Sequence, residues 1–295
     1  MRIAVVGAAG LMAAIAAAKT SDIVLYEKNE KVGKKIYITG KGRCNVTNAC
    51  EPQEFLENVV NGKKFLYGAI YAFPPSKTVE FLENNGVATK IERGNRVFPE
   101  SDKSSDVIKA LKKAIDREGV RVCFEEVAKI RRDDGGFVVV TERSAEKFDK
   151  VVLACGGVSY PATGSTGDGY KFAKSFGHKI IQPRAALVPI QLKNNVKSLE
   201  GLSLKNVTAS IAVSGKSFSE FGEMLFTSSG VSGSIILSLS SVINKYNLKN
   251  AKLSIDLKPA LSREKLDDRI LSDFEKYKNK QYKNALGDLL PTKLI

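Results

Sequence analysis

The apolar pattern begins with a short run, Ile3 to Val6, followed by two glycines, Gly7 and Gly10. An alanine-rich stretch from Gly10 to Lys19 leads to a second apolar run, Ile23 to Tyr26, which ends in Glu27. In order this reads as strand, glycine turn, helix, strand and terminal acid, the unit that binds a dinucleotide. A secretory leader is the competing reading, because Met1-Arg2 precedes sixteen uncharged residues, Ile3 to Ala18. The glycine turn and the acid at the end of the second run favour the dinucleotide unit. No other segment approaches a membrane span.

Farther on, residues 29–48 read as a polar loop, and apolar spacing predicts helices over 54–66, 76–85 and 105–118. The last carries Val107, Ile108, Leu111 and Ile115 on one face. Strands are predicted over 120–125, 128–132 and 137–141, with Asp133-Asp134-Gly135-Gly136 as a hairpin turn between the last two. An apolar strand over 150–154 runs into Cys155-Gly156-Gly157. From Pro183 the character shifts to short strands such as 185–192 and 207–213, and 262–280 is an amphipathic helix with Leu266, Ile270, Phe274 and Tyr277 on one stripe.

Composition narrows the chemistry. The 295 residues are 43% hydrophobic and 26% charged, the balance of a globular protein. A single His (His178) and four Cys (Cys44, Cys50, Cys123, Cys155) without a C-x-x-C pair argue against a metal site and exclude any mechanism needing two histidines. Absence of a disulfide framework suggests a cytoplasmic protein. The net charge of +14 reads chiefly as a lysine-rich solvated surface. Phosphate-cofactor attraction is a lesser reading and nucleic acid the least, since no block of five like charges occurs and no aromatic residues interleave with Arg. No nucleic-acid or membrane partner is expected.

The glycine turn, Val6-Gly7-Ala8-Ala9-Gly10, has two glycines where G-x-G-x-x-G has three. Either Val5 occupies the first glycine position or the loop is two residues short. Each lost charge-assisted bond to phosphate is worth roughly 1.5–3 kcal/mol, so this turn alone is weak support for a cofactor. Glu27, 17 residues after Gly10, is better placed. A carboxylate at the end of the second strand can accept both ribose hydroxyls and repels a 2′-phosphate.

Residues 33–48, G-K-K-I-Y-I-T-G-K-G-R-C-N-V-T-N, hold three glycines and four cations in sixteen residues. Backbone N–H groups near Gly40 and Gly42 could form an anion nest, Arg43 could neutralise phosphate or the charge of a reduced flavin, and Asn45, Thr47 and Asn48 could bond a polar ring edge. This run closely resembles the signature of the HI0933-like (BaiN- and YhiN-like) family of NAD(P)/FAD-dependent flavoproteins. The resemblance continues through Gly94-Asn95-Arg96-Val97-Phe98-Pro99, Leu153-Ala154-Cys155-Gly156-Gly157, Thr163 to Tyr170, Leu187-Val188-Pro189, Gly222 to Thr227, Gly230 to Gly233 and Asn284 to Pro291.

The resemblance implies an α/β fold: a doubly wound FAD/NAD(P)-binding domain over 1–184, an inserted β-rich domain over 185–258 and a small helical segment over 259–295. It implies FAD as cofactor, NADH or NADPH as reductant, and hydride transfer to an unidentified small organic acceptor. Glu27 would hold the adenosine ribose, with Gly7, Ala9, Gly10, Lys28 and Lys35 nearby. Gly40, Gly42, Arg43, Cys44, Asn45 and Thr47 would line the flavin and its phosphates. Val127 would offer backbone bonds to adenine, and Ala154, Gly156 and Gly157 would pass close to the cofactor. Cys44 lacks a nearby second thiol and reads as lining rather than redox-active. Asp168 reads as a loop former, and His178 as part of a helix-ending turn. No catalytic residue is assigned.

The chain ends at Leu290-Pro291-Thr292-Lys293-Leu294-Ile295, before the glycine-rich return segment that the resemblance implies. This suggests a C-terminally truncated member. Two expectations follow: an oxidoreductase, completed by a separately encoded C-terminal fragment, or an FAD-free relative without catalytic activity.

Overall fold

The computed structural model describes residues 1–295 and divides into two units, Met1–Ile181 and Gln182–Ile295. The first unit begins with β1 (Arg2–Val6), α1 (Leu11–Ala18) and β2 (Asp22–Tyr26). Next come β3 (Thr47–Asn48), α2 (Pro52–Glu57), α3 (Lys63–Ala72), α4 (Pro75–Asn84), β4 (Thr89–Glu92) and β5 (Arg96–Pro99). Then follow α5 (Ser104–Arg117), β6 (Arg121–Cys123), β7 (Val127–Asp133), β8 (Gly136–Thr141), β9 (Ala145–Phe148), β10 (Lys150–Leu153) and α6 (Asp168–Ser175).

A parallel sheet in the order β10-β1-β2-β6 forms the centre of this unit. Successive residues of β1 bury opposite faces, which is why the strand reads as an unbroken apolar run. Val5 and Leu25 join Ile15 of α1 and Leu111 and Ile115 of α5 on one side. Ala4, Val6, Val24 and Tyr26 meet Val127, Ile130, Val139 and Phe148 of the antiparallel β7-β8-β9 sheet on the other. The four apolar positions expected on one face of α5 are all buried. Fully burying a side chain such as Ile115 contributes roughly 1.5–3 kcal/mol.

Two expectations about local structure need correction. The helix predicted over 54–66 is two helices, α2 and α3, separated where Gly62 adopts a left-handed φ of 81°. Within 185–192 only Ile190–Gln191 pairs as a strand. His178 follows α6 as expected: Gly177 turns at φ 84° and the His178 N–H bonds back to the Ala173 carbonyl at 3.1 Å.

The second unit holds β11 (Ile190–Gln191), β12 (Ser203–Val213), β13 (Lys216–Thr227), β14 (Gly230–Ser232), α7 (Ser234–Ile243), β15 (Lys252–Asp256), α8 (Arg263–Lys276) and α9 (Tyr282–Ala285). The strands form an antiparallel sheet in the order β11-β14-β13-β12-β15. Ile235, Ile236, Leu239 and Ile243 of α7 pack with Leu204, Val207, Ala209, Ile211 and Met224 of the sheet. No helix of the chain is long and apolar enough to cross a membrane.

Candidate functional site

Three chain segments meet at the carboxyl ends of β1, β2 and β10. Gly7 follows β1 at φ 100°, and its N–H bonds the Tyr26 carbonyl at 2.8 Å. A Cβ on Gly7 would stand 2.3 Å from the Ala154 oxygen, and one on Gly10 would stand 2.5 Å from a methyl of Val5. Glycine is therefore required at both positions by neighbouring chain. Val5 lies within β1, paired with Leu25 and Val152, so Gly7 and Gly10 stand as the second and third glycines of the turn. A single 3-10 turn, Ala8–Gly10, then leads into α1.

Glu27, just past β2, is buried to 7% exposure. Its carboxylate accepts the Ala8 N–H at 3.0 Å, the Asn29 N–H at 2.8 Å and the Asn29 side-chain amide at 2.6 Å. The acid thus ties the glycine turn to the end of β2. Lys28 donates to Asp168 and Thr166, both at 2.6 Å, and Lys35 donates to the Ser159 carbonyl at 2.8 Å and the Ser165 hydroxyl at 2.6 Å. Burial alone would raise the Asp168 carboxyl, but the bonds from Lys28 and Thr166 outweigh it and bring it down to about 2. Burial pushes the Cys155 thiol up to about 11, with the Asp168 charge adding and Lys28 opposing. At neutral pH Asp168 is a carboxylate and Cys155 a thiol.

These residues enclose a cleft of about 440 Å³, within the range of small-molecule and cofactor sites. Gly7, Ala9, Glu27, Lys28, Lys35, Val127, Ala154 and Gly156 line it. Gly10 packs beneath, against Val5 and Ala154, and Gly157 lies where a Cβ would be 3.2 Å from the Tyr170 hydroxyl. Sequence reasoning missed Asn29, Glu125 and Ser165, which also line the cleft. One oxygen of Glu125, Oε2, is buried there without any hydrogen-bond partner. The signal for it was the acid pair Glu125-Glu126 directly before Val127.

Gly40, Gly42, Arg43, Cys44, Asn45 and Thr47 are not among the lining residues. The segment turns tightly, with Gly40, Lys41, Gly42 and Cys44 all at positive φ, and it joins β5 through the β3 pairing of Thr47 with Val97. The anion nest expected there has no free arginine. Arg43 Nε bonds Asp102 at 2.7 Å, the guanidinium also pairs with Glu92, and it lies 4.2 Å over the Phe98 ring. Those two carboxylates neutralise the charge that was expected to face phosphate. Cys44 is buried, and burial raises its thiol against the opposing bond from Thr39.

The family model for the HI0933-like protein Rossmann domain matches residues 1–247. The 3-dehydro-bile acid delta(4,6)-reductase of Clostridium scindens is 31% identical, over 98% of this chain and 72% of that protein. The ribosomal RNA dihydrouridine synthase of Haemophilus influenzae is 28% identical, over 98% of this chain and 71% of that protein. Among solved structures, THI4 of Thermovibrio ammonificans has 12% identity and a TM-score of 0.38, over 60% of this chain and 62% of that one. The chain belongs to the HI0933-like Rossmann flavoprotein family.

Proposed function

We propose that this family member is an FAD-dependent reductase whose first-unit cleft holds the adenosine half of the cofactor. The observation that carries the reading is the cradle at the carboxyl ends of β1 and β2, where Gly7 and Gly10 leave no room for a Cβ and the Glu27 carboxylate lines a cleft of about 440 Å³. The ribose of an adenosine brings two hydroxyl donors to the Glu27 carboxylate, so the residues present fit it. Glu27 would take the ribose hydroxyls by giving up bonds to Asn29, and Val127 would present backbone to adenine. Gly7, Ala154 and Gly156 leave room for close approach, while Lys35, bonded to the Ser159 carbonyl and the Ser165 hydroxyl and to no carboxylate, places positive charge on the wall.

FAD, when bound, supplies the site that accepts and donates hydride. NADH or NADPH is the proposed reductant. Both relatives above are named for saturating a carbon–carbon double bond, one in a 3-oxo steroid and one in a uracil ring. By likeness, the acceptor here is a double bond conjugated to a carbonyl. Asp168, held as a carboxylate, is not the proton donor at neutral pH. Arg43 acts on this reading as a positioning residue. Its bonds to Glu92 and Asp102 fix residues 40–47 against β5.

Titration of the purified chain with FAD tests the proposal. Expected is saturable uptake, seen as a shifted flavin absorbance, with ADP as a competitor. Glu27→Gln should weaken both ligands by roughly 10–100-fold, the worth of a charged hydrogen bond. Failure of the chain to take up either ligand would instead support an FAD-free relative.

A further inference from the structure

Three side chains stitch the segment after β2 to residues 156–167, a strap that runs from the end of β10 to the start of α6 and forms one wall of the cleft. Lys28 holds Thr166 and Asp168, and Lys35 holds the Ser159 carbonyl and the Ser165 hydroxyl. Asn29 is the third tie, from its side-chain amide to the Thr163 carbonyl at 3.3 Å. The strap is strained at one point. Tyr160 is 67% exposed and sits at φ 54°, a left-handed conformation that an aromatic residue rarely adopts. Its carbonyl is pinned by the Thr163 N–H at 2.9 Å and the Thr163 hydroxyl at 2.7 Å. Gly164, at φ 95°, lies so close to Asn29 that a Cβ there would stand 2.5 Å from the amide nitrogen.

Asn29 alone of the three ties also touches Glu27. An ionised carboxylate has about four acceptor positions, two on each oxygen. On Oε1 both are taken, by the Asn29 N–H and the Asn29 side-chain amide. Oε2 accepts the Ala8 N–H and keeps one position open. A ribose brings two neighbouring hydroxyl donors, one more than the carboxylate has room for. One existing donor must therefore leave. The N–H groups of Ala8 and Asn29 are fixed by main chain, whereas the Asn29 amide moves by side-chain rotation alone. The same rotation carries its nitrogen away from Thr163.

We propose that Asn29 is a positioning residue that couples occupancy of the ribose subsite to release of the strap. With the cleft empty, its amide holds the Glu27 carboxylate and the Thr163 carbonyl together. When two ribose hydroxyls reach Glu27, the amide is displaced and the strap loses this tie, while those of Lys28 and Lys35 stay. Strain at Tyr160 then favours movement around residues 160–164. The amide competes with the ribose, so Asn29 weakens nucleotide binding rather than aiding it. The strap belongs to the first unit, and its coupling rests on the adenosine reading above.

Calorimetric titration of the full chain with ADP and with 2′,3′-dideoxy-ADP tests the coupling, since the two differ only in the ribose hydroxyls. Asn29→Ala should bind ADP about tenfold more tightly than the unaltered chain, the scale of one hydrogen bond to a charged group. It should bind the dideoxy nucleotide with unchanged affinity. Hydrogen exchange reads the strap. In the unaltered chain, residues 160–166 should exchange faster with ADP bound than with the dideoxy nucleotide bound, an arm that needs no variant. In Asn29→Ala the two should be equal. Weaker or equal ADP binding by Asn29→Ala, a gain shared by both nucleotides, or equal exchange with the two in the unaltered chain overturns the proposal and leaves the adenosine reading standing. Failure of the unaltered chain to bind ADP refutes that reading, and the coupling falls with it.

Discussion

The two units differ in where their cations are paired. In the first, Arg2 meets Asp22 and Glu146, Lys28 meets Asp168, and Arg43 meets Glu92 and Asp102. In the second, the lysines of the sheet have no carboxylate partner, and pairing is confined to the helical end. A paired cation fixes the shape of its surroundings and is lost to a ligand, whereas an unpaired one keeps its field for a polyanion. The net charge of +14 thus lies partly in held pairs, as at Lys28 and Arg43, and partly on free lysines, as at the starts of β13 and β15.

The contrast breaks most sharply at glycines. Gly7→Val places a side chain 2.3 Å from the Ala154 oxygen at φ 100°. It should destabilise the first unit by more than about 3 kcal/mol in urea unfolding. Gly215, at φ 73° with open space around it, should cost only about 1 kcal/mol on change to Ala.

A smaller effect separates paired from unpaired lysines by pH. The Asp168 carboxyl is depressed to about 2, below the ordinary value of about 3.9. Its stabilisation is therefore complete above pH 4 and lost as pH falls through 2. Lys28→Ala should raise that carboxyl and lower the melting temperature at pH 7, and the gap to the unaltered chain should close toward pH 2. Lys252→Ala should leave the acid profile unchanged.

Salt gives the finest distinction. Raising ionic strength to about 1 M shortens screening to about 3 Å. Hydrogen exchange should then show slightly faster opening around Lys28 and Arg43, where attraction is screened, and slightly slower opening around Lys216 and Lys252, where repulsion is relieved.

Much of the nucleotide half was legible because its signals are local. The apolar runs of β1 and β2, the glycines between them and Glu27 lie within one short stretch of chain, and the apolar face of α5 repeats at helical spacing. Segment 33–48 was legible as unusual, but its electrostatics were not. Arg43 finds Glu92 and Asp102 from distant sequence, so only folding shows that its charge is neutralised. β13 was hard to read for a different reason. Its solvent face alternates Ser217, Ser219, Phe221 and Glu223, so the apolar signal of a half-buried strand is thin. α7, nearly all Ile, Leu, Val and Ser, has no polar stripe to give a helical period. The break before Gly62 escaped because apolar spacing runs across it.

The raised Cys155 thiol has a practical consequence. Peroxide and alkylating reagents attack the thiolate, and a group that ionises only near 11 offers almost none at neutral pH. Its Sγ also faces the Val6 carbonyl at 3.4 Å. Labelling reagents should therefore leave this wall of the cleft untouched in the folded chain.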